Sequence, residues 1–363
     1  MRLFAAGSNA KGQLATGDDE DAHSFKPCKF LVAGKEVVDV PGNIIVKVVA
    51  GANHSIALLE NPATLQKSLW GAGDGSNGQL GPQLRHSSEP HNVYRPLDIP
   101  LPNEKHSIRD VCAAWETSFI RVCDGNTHSD YILSFGSNDH GMLGLASGVD
   151  PLDVNMVDFT STGYEGTEVA LFITGPRTAY TVMKDLRVAQ TRRVLVGWGA
   201  SRHNQMTVTS ESPNTTQPKQ PVSTKIPQDI QLPQDSEIES IAAGFQHALI
   251  LTTSGRLLGL GSNNKEQLAV SNSVTPGAVN PSSIGATWNS SFVLDESRRT
   301  FIACGSNNHG QLGSIVDPQS LATVSIPDGF VVDSWVCGSE HVLVLARSVR
   351  IHILYDLWNC TGY

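Results

Sequence analysis

Three histidines stand in one repeated frame: Gly51-Ala52-Asn53-His54, Gly244-Phe245-Gln246-His247 and Gly338-Ser339-Glu340-His341. An imidazole can ligate a metal or act as a general base. A metal centre would require the three rings to converge, and a base would require a nucleophile nearby. Each histidine instead precedes a short apolar run, such as Ala248-Leu249-Ile250-Leu251, and no nucleophile recurs beside it. His54, His247 and His341 are therefore read as structural, each bonding the turn or a neighbouring strand of its own unit. The chain has no P-loop, G-x-S-x-G, H-E-x-x-H or strand-borne G-x-G-x-x-G. No catalytic residue, metal set or cofactor is assigned.

The residues just before the histidine position carry more chemistry. Weaker copies of the frame begin at Cys112, Ile173 and Gly285, so equivalent places hold Ala52, Trp115, Pro176, Phe245, Trp288 and Ser339. The next residues are Asn53, Glu116, Arg177, Gln246, Asn289 and Glu340. Trp115, Phe245 and Trp288 either pack between units or form an aromatic patch on one face, where tryptophan is enriched among binding hot spots. Together with Glu116 and Glu340 they are the partner-binding candidates. For the two glutamates a solvated or locally bonded carboxylate is the favoured reading.

These residues need strands to hold them. A second motif, G-S-N-A-K-G-Q-L from Gly7, returns from Gly73, Gly136, Gly199, Gly261 and Gly305, nearly evenly spaced until a shorter last interval. It alternates strictly with the histidine frame. The apolar run after the histidine suits a strand buried on both faces. Apolar residues before each G-S-N (Leu69-Trp70, Ile132-Leu133, Leu257-Leu258, Phe301-Ile302) make another strand, and the motif then turns the chain. Thirty-three glycines and 19 prolines in 363 residues argue against long helices. Small sheets of this kind cannot bury both faces alone, and stacking them around an axis yields an all-β propeller. On such a ring, equivalent histidines sit well apart, which again speaks against a shared metal.

The two motifs, G-S-N-x-x-G-Q-L and G-x-x-H, resemble those of the regulator of chromosome condensation repeat family over roughly residues 1–345. The resemblance implies a seven-bladed ring, often closed by strands from both chain ends. After His341 the pattern departs and the chain reads R-S-V-R-I-H-I-L-Y-D-L-W. The expectation is one propeller domain of about six to seven blades over 1–363, the last incomplete, with an atypical tail at 346–363 and a polar inter-blade loop at 206–237.

A narrower likeness is carried by Ala6 to Asp21, A-W-E-T-S at Ala114, T-W-N-S-S at Thr287 and C-G-S-E-H at Cys337. These segments resemble the fungal alpha-tubulin suppressor branch. That resemblance implies a non-enzymatic adaptor, cytoplasmic and nuclear, that pairs with a small zinc-binding protein. It also implies association with the Elongator complex in tRNA wobble-uridine modification and a role in diphthamide biosynthesis. The alternatives are a guanine-nucleotide exchange factor for a small GTPase, with Glu116 and Glu340 contributing, and a cytoskeleton-linked scaffold. A formal charge of −9 disfavours direct nucleic-acid binding. No apolar window is long enough to span a membrane, and the six scattered cysteines read as reduced thiols.

Overall fold

The computed structural model describes residues 2–85, 91–146, 153–185, 192–208, 223–273, 280–313 and 321–348. Its strands form antiparallel sheets that succeed one another along the chain. β1 (Phe4–Gly7) pairs with β2 (Ala22–Pro27), and β3 (Phe30–Val32) with β4 (Lys35–Val37). A four-stranded sheet comes next: β5 (Ile44–Ala50), β6 (His54–Glu60), β7 (Lys67–Gly73) and β8 (Arg95–Leu97). The sheet after it holds β9 (His106–Ala113), β10 (Thr117–Asp124), β11 (Asp130–Gly136) and β12 (Asn155–Met156). Then come β13 (Val169–Thr174), β14 (Thr178–Asp185), β15 (Arg192–Ala200) and β16 (Ser223–Ile230). A three-stranded sheet of β17 (Ile238–Ala243), β18 (His247–Thr252) and β19 (Leu257–Gly261) precedes the short helix α1 (Ala269–Ser273). The last sheets are β20 (Pro281–Ala286), β21 (Ser290–Asp295), β22 (Thr300–Gly305) and β23 (Ala322–Ser325), then the pair β24 (Phe330–Cys337) and β25 (Val342–Ser348).

The first strands of successive sheets adjoin, β5 beside β9, then β13, β17, β20 and β24, and so line the axis of a propeller. Among the described residues there is no single core. Six apolar clusters each lie between neighbouring sheets, as expected where a repeat buries its faces only against the next. Phe119, Phe172 and Trp198 illustrate one such joint: the Trp198 and Phe172 rings stack at 6.0 Å, and the indole N–H donates to the Met142 carbonyl at 2.8 Å.

The turn motif has a steric basis. At Gly73 and Gly136 the backbone takes φ of +100° and +113°. A β-carbon there would also lie 2.3 Å from the Asn53 carbonyl oxygen and 2.4 Å from that of Glu116, so only glycine fits. The motif asparagine accepts the N–H of the leucine five places on, at 3.0 Å for Asn138 and 2.7 Å for Asn263. The motif glutamine accepts the N–H two places before it, as Gln79 does from Asn77 at 2.9 Å. The side chains replace the backbone partners that a turn lacks.

Two boundaries change. The segment expected as a loop at 206–237 contains β16, which pairs with β15 and buries Thr224, Pro227 and Ile230. Its polar composition hid it: an outermost strand meets only one neighbour, needs few apolar side chains and tolerates Pro227. Residues 209–222 lie outside the described residues. At the other end β25 runs to Ser348, so the tail expected from 346 begins inside a strand, and 349–363 lie outside the described residues.

Candidate functional site: an aromatic mouth on the propeller axis

The turn joining the first and second strands of each sheet points toward one end of the axis. These turns are tied to one another by backbone bonds. Ala52 N–H donates to the Trp115 carbonyl at 2.8 Å, and Trp115 N–H to that of Pro176 at 3.0 Å. Phe245 N–H donates to Trp288 at 3.0 Å, and Trp288 N–H to Ser339 at 2.9 Å. Pro176 has no N–H to give, so the series is interrupted between it and Phe245.

Below this rim the histidines fix the sheets. His54 Nε2 is 3.0 Å from Ser118 Oγ, and His247 Nε2 is 3.0 Å from Ser291 Oγ. Each serine belongs to the following sheet, which corrects the expectation that the imidazole bonds within its own unit. Ser118 gives its own proton to the Gln79 carbonyl at 2.7 Å, so it accepts from His54 and selects the Nε2–H tautomer. Burial pushes both imidazoles down to about 4, keeping them neutral. The frame glycine leaves room for the ring: a β-carbon on Gly51 or Gly244 would lie 2.2 or 2.3 Å from the histidine Cε1. His341 occupies the same frame over Gly338 but is exposed.

The three aromatic candidates come together. Trp115 and Trp288, three sheets apart along the chain, have ring centroids 5.5 Å apart; Trp115–Phe245 is 6.2 Å and Phe245–Trp288 is 5.9 Å. They reach across the axis and gather at its mouth, half-buried rather than sealed in a core. The sequence left open packing between units or a patch on one face; the rings pack on one another across the axis instead of between neighbouring sheets, and stay half-buried there. Arg177 completes the cluster, its guanidinium carbon 4.9 Å from the Phe245 ring centroid and 6.0 Å from that of Trp115. Arg177 was visible in the repeat frame as the one cation among the residues following the aromatic position, but only the folded ring shows what it covers.

The two glutamates are engaged elsewhere. Glu116 accepts from Asn77 Nδ2 at 3.0 Å. Glu340 lies 3.2 Å from His309 Nε2 and lines a cavity of about 320 Å³ with Phe292, Phe301 and Val342. Both carboxylates thus meet neighbouring turns, the locally bonded state that their surroundings favour.

Comparison with known proteins places this geometry. The model of the regulator of chromosome condensation (RCC1) repeat matches residues 2–58, and a second model of that repeat matches 238–267. The chain is 26% identical to the probable E3 ubiquitin-protein ligase HERC6 of Homo sapiens over 85% of its own length, spanning only 28% of that protein. It is 25% identical to the secretion-regulating guanine nucleotide exchange factor of Bos taurus, over 96% of this chain and 72% of that one. Among solved structures, yeast RCC1 (Prp20) bound to Kap60 aligns with a TM-score of 0.69 at 16% identity, covering 96% of this chain and 77% of that chain.

Proposed function

Because the chain belongs to the RCC1-repeat family of propellers, we propose that it acts as a regulator by binding a partner protein at its axial mouth, and that the partner is a small GTPase whose nucleotide exchange it promotes. The observation that carries this reading is the convergence of Trp115, Phe245 and Trp288 from three sheets under Arg177. Aromatic and arginine side chains, half-exposed on a rigid rim, are the residue types that dominate binding energy at interfaces. The rim is rigid because its backbone and its histidines are bonded from sheet to sheet, so little ordering cost is left for the moment of binding. A protein that promotes exchange must hold the nucleotide-free partner more tightly than the loaded one, and a preformed surface suits that task. The relative named as an exchange factor supports this partner class.

The finer adaptor reading is the second candidate: a heterodimer with a small zinc-binding protein that serves Elongator-dependent tRNA modification and diphthamide synthesis. It rests on the A-W-E-T-S and T-W-N-S-S segments. Those segments supply Trp115 with Ser118 and Trp288 with Ser291, the mouth aromatics and the acceptors of the histidine bonds, so the ring's own architecture also accounts for them. Labelled-GDP release from a panel of small GTPases separates the two. Exchange by the wild-type chain that falls with Trp115→Ala and Trp288→Ala supports the first. No acceleration on any GTPase, with a zinc protein recovered by affinity purification and mass spectrometry, supports the second.

A further inference from the structure

A guanidinium carries five N–H donors, and enclosing it is costly unless acceptors meet them. The half-buried cations Lys47, Lys67 and Arg121 face carboxylates of this chain: Asp110 at 2.8 Å, Glu60 at 3.8 Å and Asp130 at 2.7 Å. Arg85, also half-buried, donates to the Ser76 and Asn77 carbonyls at 3.4 and 3.2 Å. Arg177 differs from all of these. Its guanidinium lies against the Phe245 and Trp115 rings and, among the described residues, makes no ion pair or side-chain hydrogen bond. Ring faces hold the charge in place but give its N–H groups no oxygen. The two carboxylates that share its place in the repeat frame, Glu116 and Glu340, are tied to Asn77 and His309.

A second polar group stands open at the same residue that Arg177 covers. Around the rim the carbonyls of Trp115, Pro176, Trp288 and Ser339 each accept an N–H from the neighbouring turn. The equivalent donor for the Phe245 carbonyl would be Pro176, which has no N–H. Among the described residues no other backbone N–H reaches that oxygen. Phe245 is thus flanked by a cation lacking an oxyanion and carries a carbonyl lacking a donor. Water serves both groups while the mouth is open. A partner that covers the mouth displaces that water, and a charge then left unpaired inside the interface is heavily penalised.

We infer that the partner enters the mouth with an aspartate or glutamate, whose carboxylate accepts from Arg177 while a partner backbone N–H meets the Phe245 carbonyl. The inference rests on the reading of the axial mouth as the docking surface. Among the six residues that follow the aromatic position, Arg177 is the one cation, and Glu116 and Glu340 are anions. A carboxylate matches that single charge. A phosphate dianion does not, because its second charge finds only like charge in this frame and the open carbonyl repels its oxygens. The rings alone would take any apolar knob; the guanidinium and the carbonyl select a polypeptide segment with an acid at its tip.

Calorimetric titration of the full chain tests this, comparing wild type with Trp115→Ala, Arg177→Gln, Arg177→Lys and Arg177→Glu. The titrant is the small GTPase whose GDP release the wild-type chain accelerates or, where none responds, the zinc protein recovered with the chain. Arg177→Gln removes the charge and is expected to weaken binding about 30-fold or more. Arg177→Lys recovers only part of that loss, because an ammonium lacks the planar fork. Arg177→Glu abolishes binding, and changing one partner Asp or Glu to Arg restores it. That rescue also shows that the variant is folded. Binding by Arg177→Gln within about twofold of wild type, with Trp115→Ala weakened, overturns the carboxylate contact and leaves the mouth as the docking surface. If both variants bind like wild type, the docking surface falls as well. Failure of every single partner reversal to rescue Arg177→Glu also overturns the inference.

Discussion

Acidification should loosen this ring at two identifiable places. His54 and His247 are buried, bonded to a serine of the next sheet, and pushed down to about 4 from an ordinary value of 6.5. The unfolded chain therefore takes up protons at a higher pH than the folded one. Stability from these groups is complete above about pH 6.5 and is lost progressively as pH falls toward 4, because protonation then favours the unfolded state. At about pH 5 each histidine removes roughly 2 kcal/mol, or about 4 kcal/mol for the pair. Urea denaturation between about pH 7.5 and pH 5 reads the loss. The double variant His54→Gln/His247→Gln, which cannot titrate at these sites, should lose about 4 kcal/mol less than wild type over that interval. A titration of the ring protons by NMR checks the cause directly. Parallel stability curves, or two imidazoles titrating near 6.5, would refute the reasoning.

Other substitutions report on the same architecture. Gly244→Ala places a β-carbon 2.3 Å from His247 Cε1 and 2.6 Å from the Thr287 carbonyl of the next sheet; it should cost roughly 3 kcal/mol in thermal or urea unfolding. Gly310→Ala, with positive φ but open space around it, should cost only about 1 kcal/mol. Asp130 is buried, pairs with Arg121 at 2.7 Å and accepts the Val169 N–H of the next sheet at 2.9 Å. Asp130→Ala should destabilise by roughly 3 kcal/mol, and more than Arg121→Ala, since it strands both a charge and a backbone donor. Equal small losses from the two would contradict this.

Much of the fold was legible because its repeats are punctuated by residues with no substitute. The six G-S-N glycines and the alternating G-x-x-H frame give the order and number of strand pairs, since a positive φ and a ring lying on backbone both demand glycine. The fourth strands were not legible. β16 is polar, carries a proline and pairs on one edge only, so nothing in its composition separates it from a loop. The histidine's partner was hidden for a different reason: Ser118 lies 64 residues from His54 and Ser291 lies 44 from His247, and only the closing of one sheet on the next joins them. The same holds for the site. Trp115, Phe245 and Trp288 were marked by their shared frame, but their convergence depends on side chains reaching across the axis. Arg177 was in that frame too, though only the folded arrangement makes it part of a surface.

The axial mouth as partner surface is tested most directly by calorimetric titration of the purified partner with wild type, Trp115→Ala and Trp288→Ala, each shown by circular dichroism to keep its sheet content. Truncating a tryptophan at the centre of an interface costs about 2–4 kcal/mol, so affinity should fall roughly 30- to 1,000-fold for each. Affinities within a factor of about two of wild type for both variants would place the partner on another face.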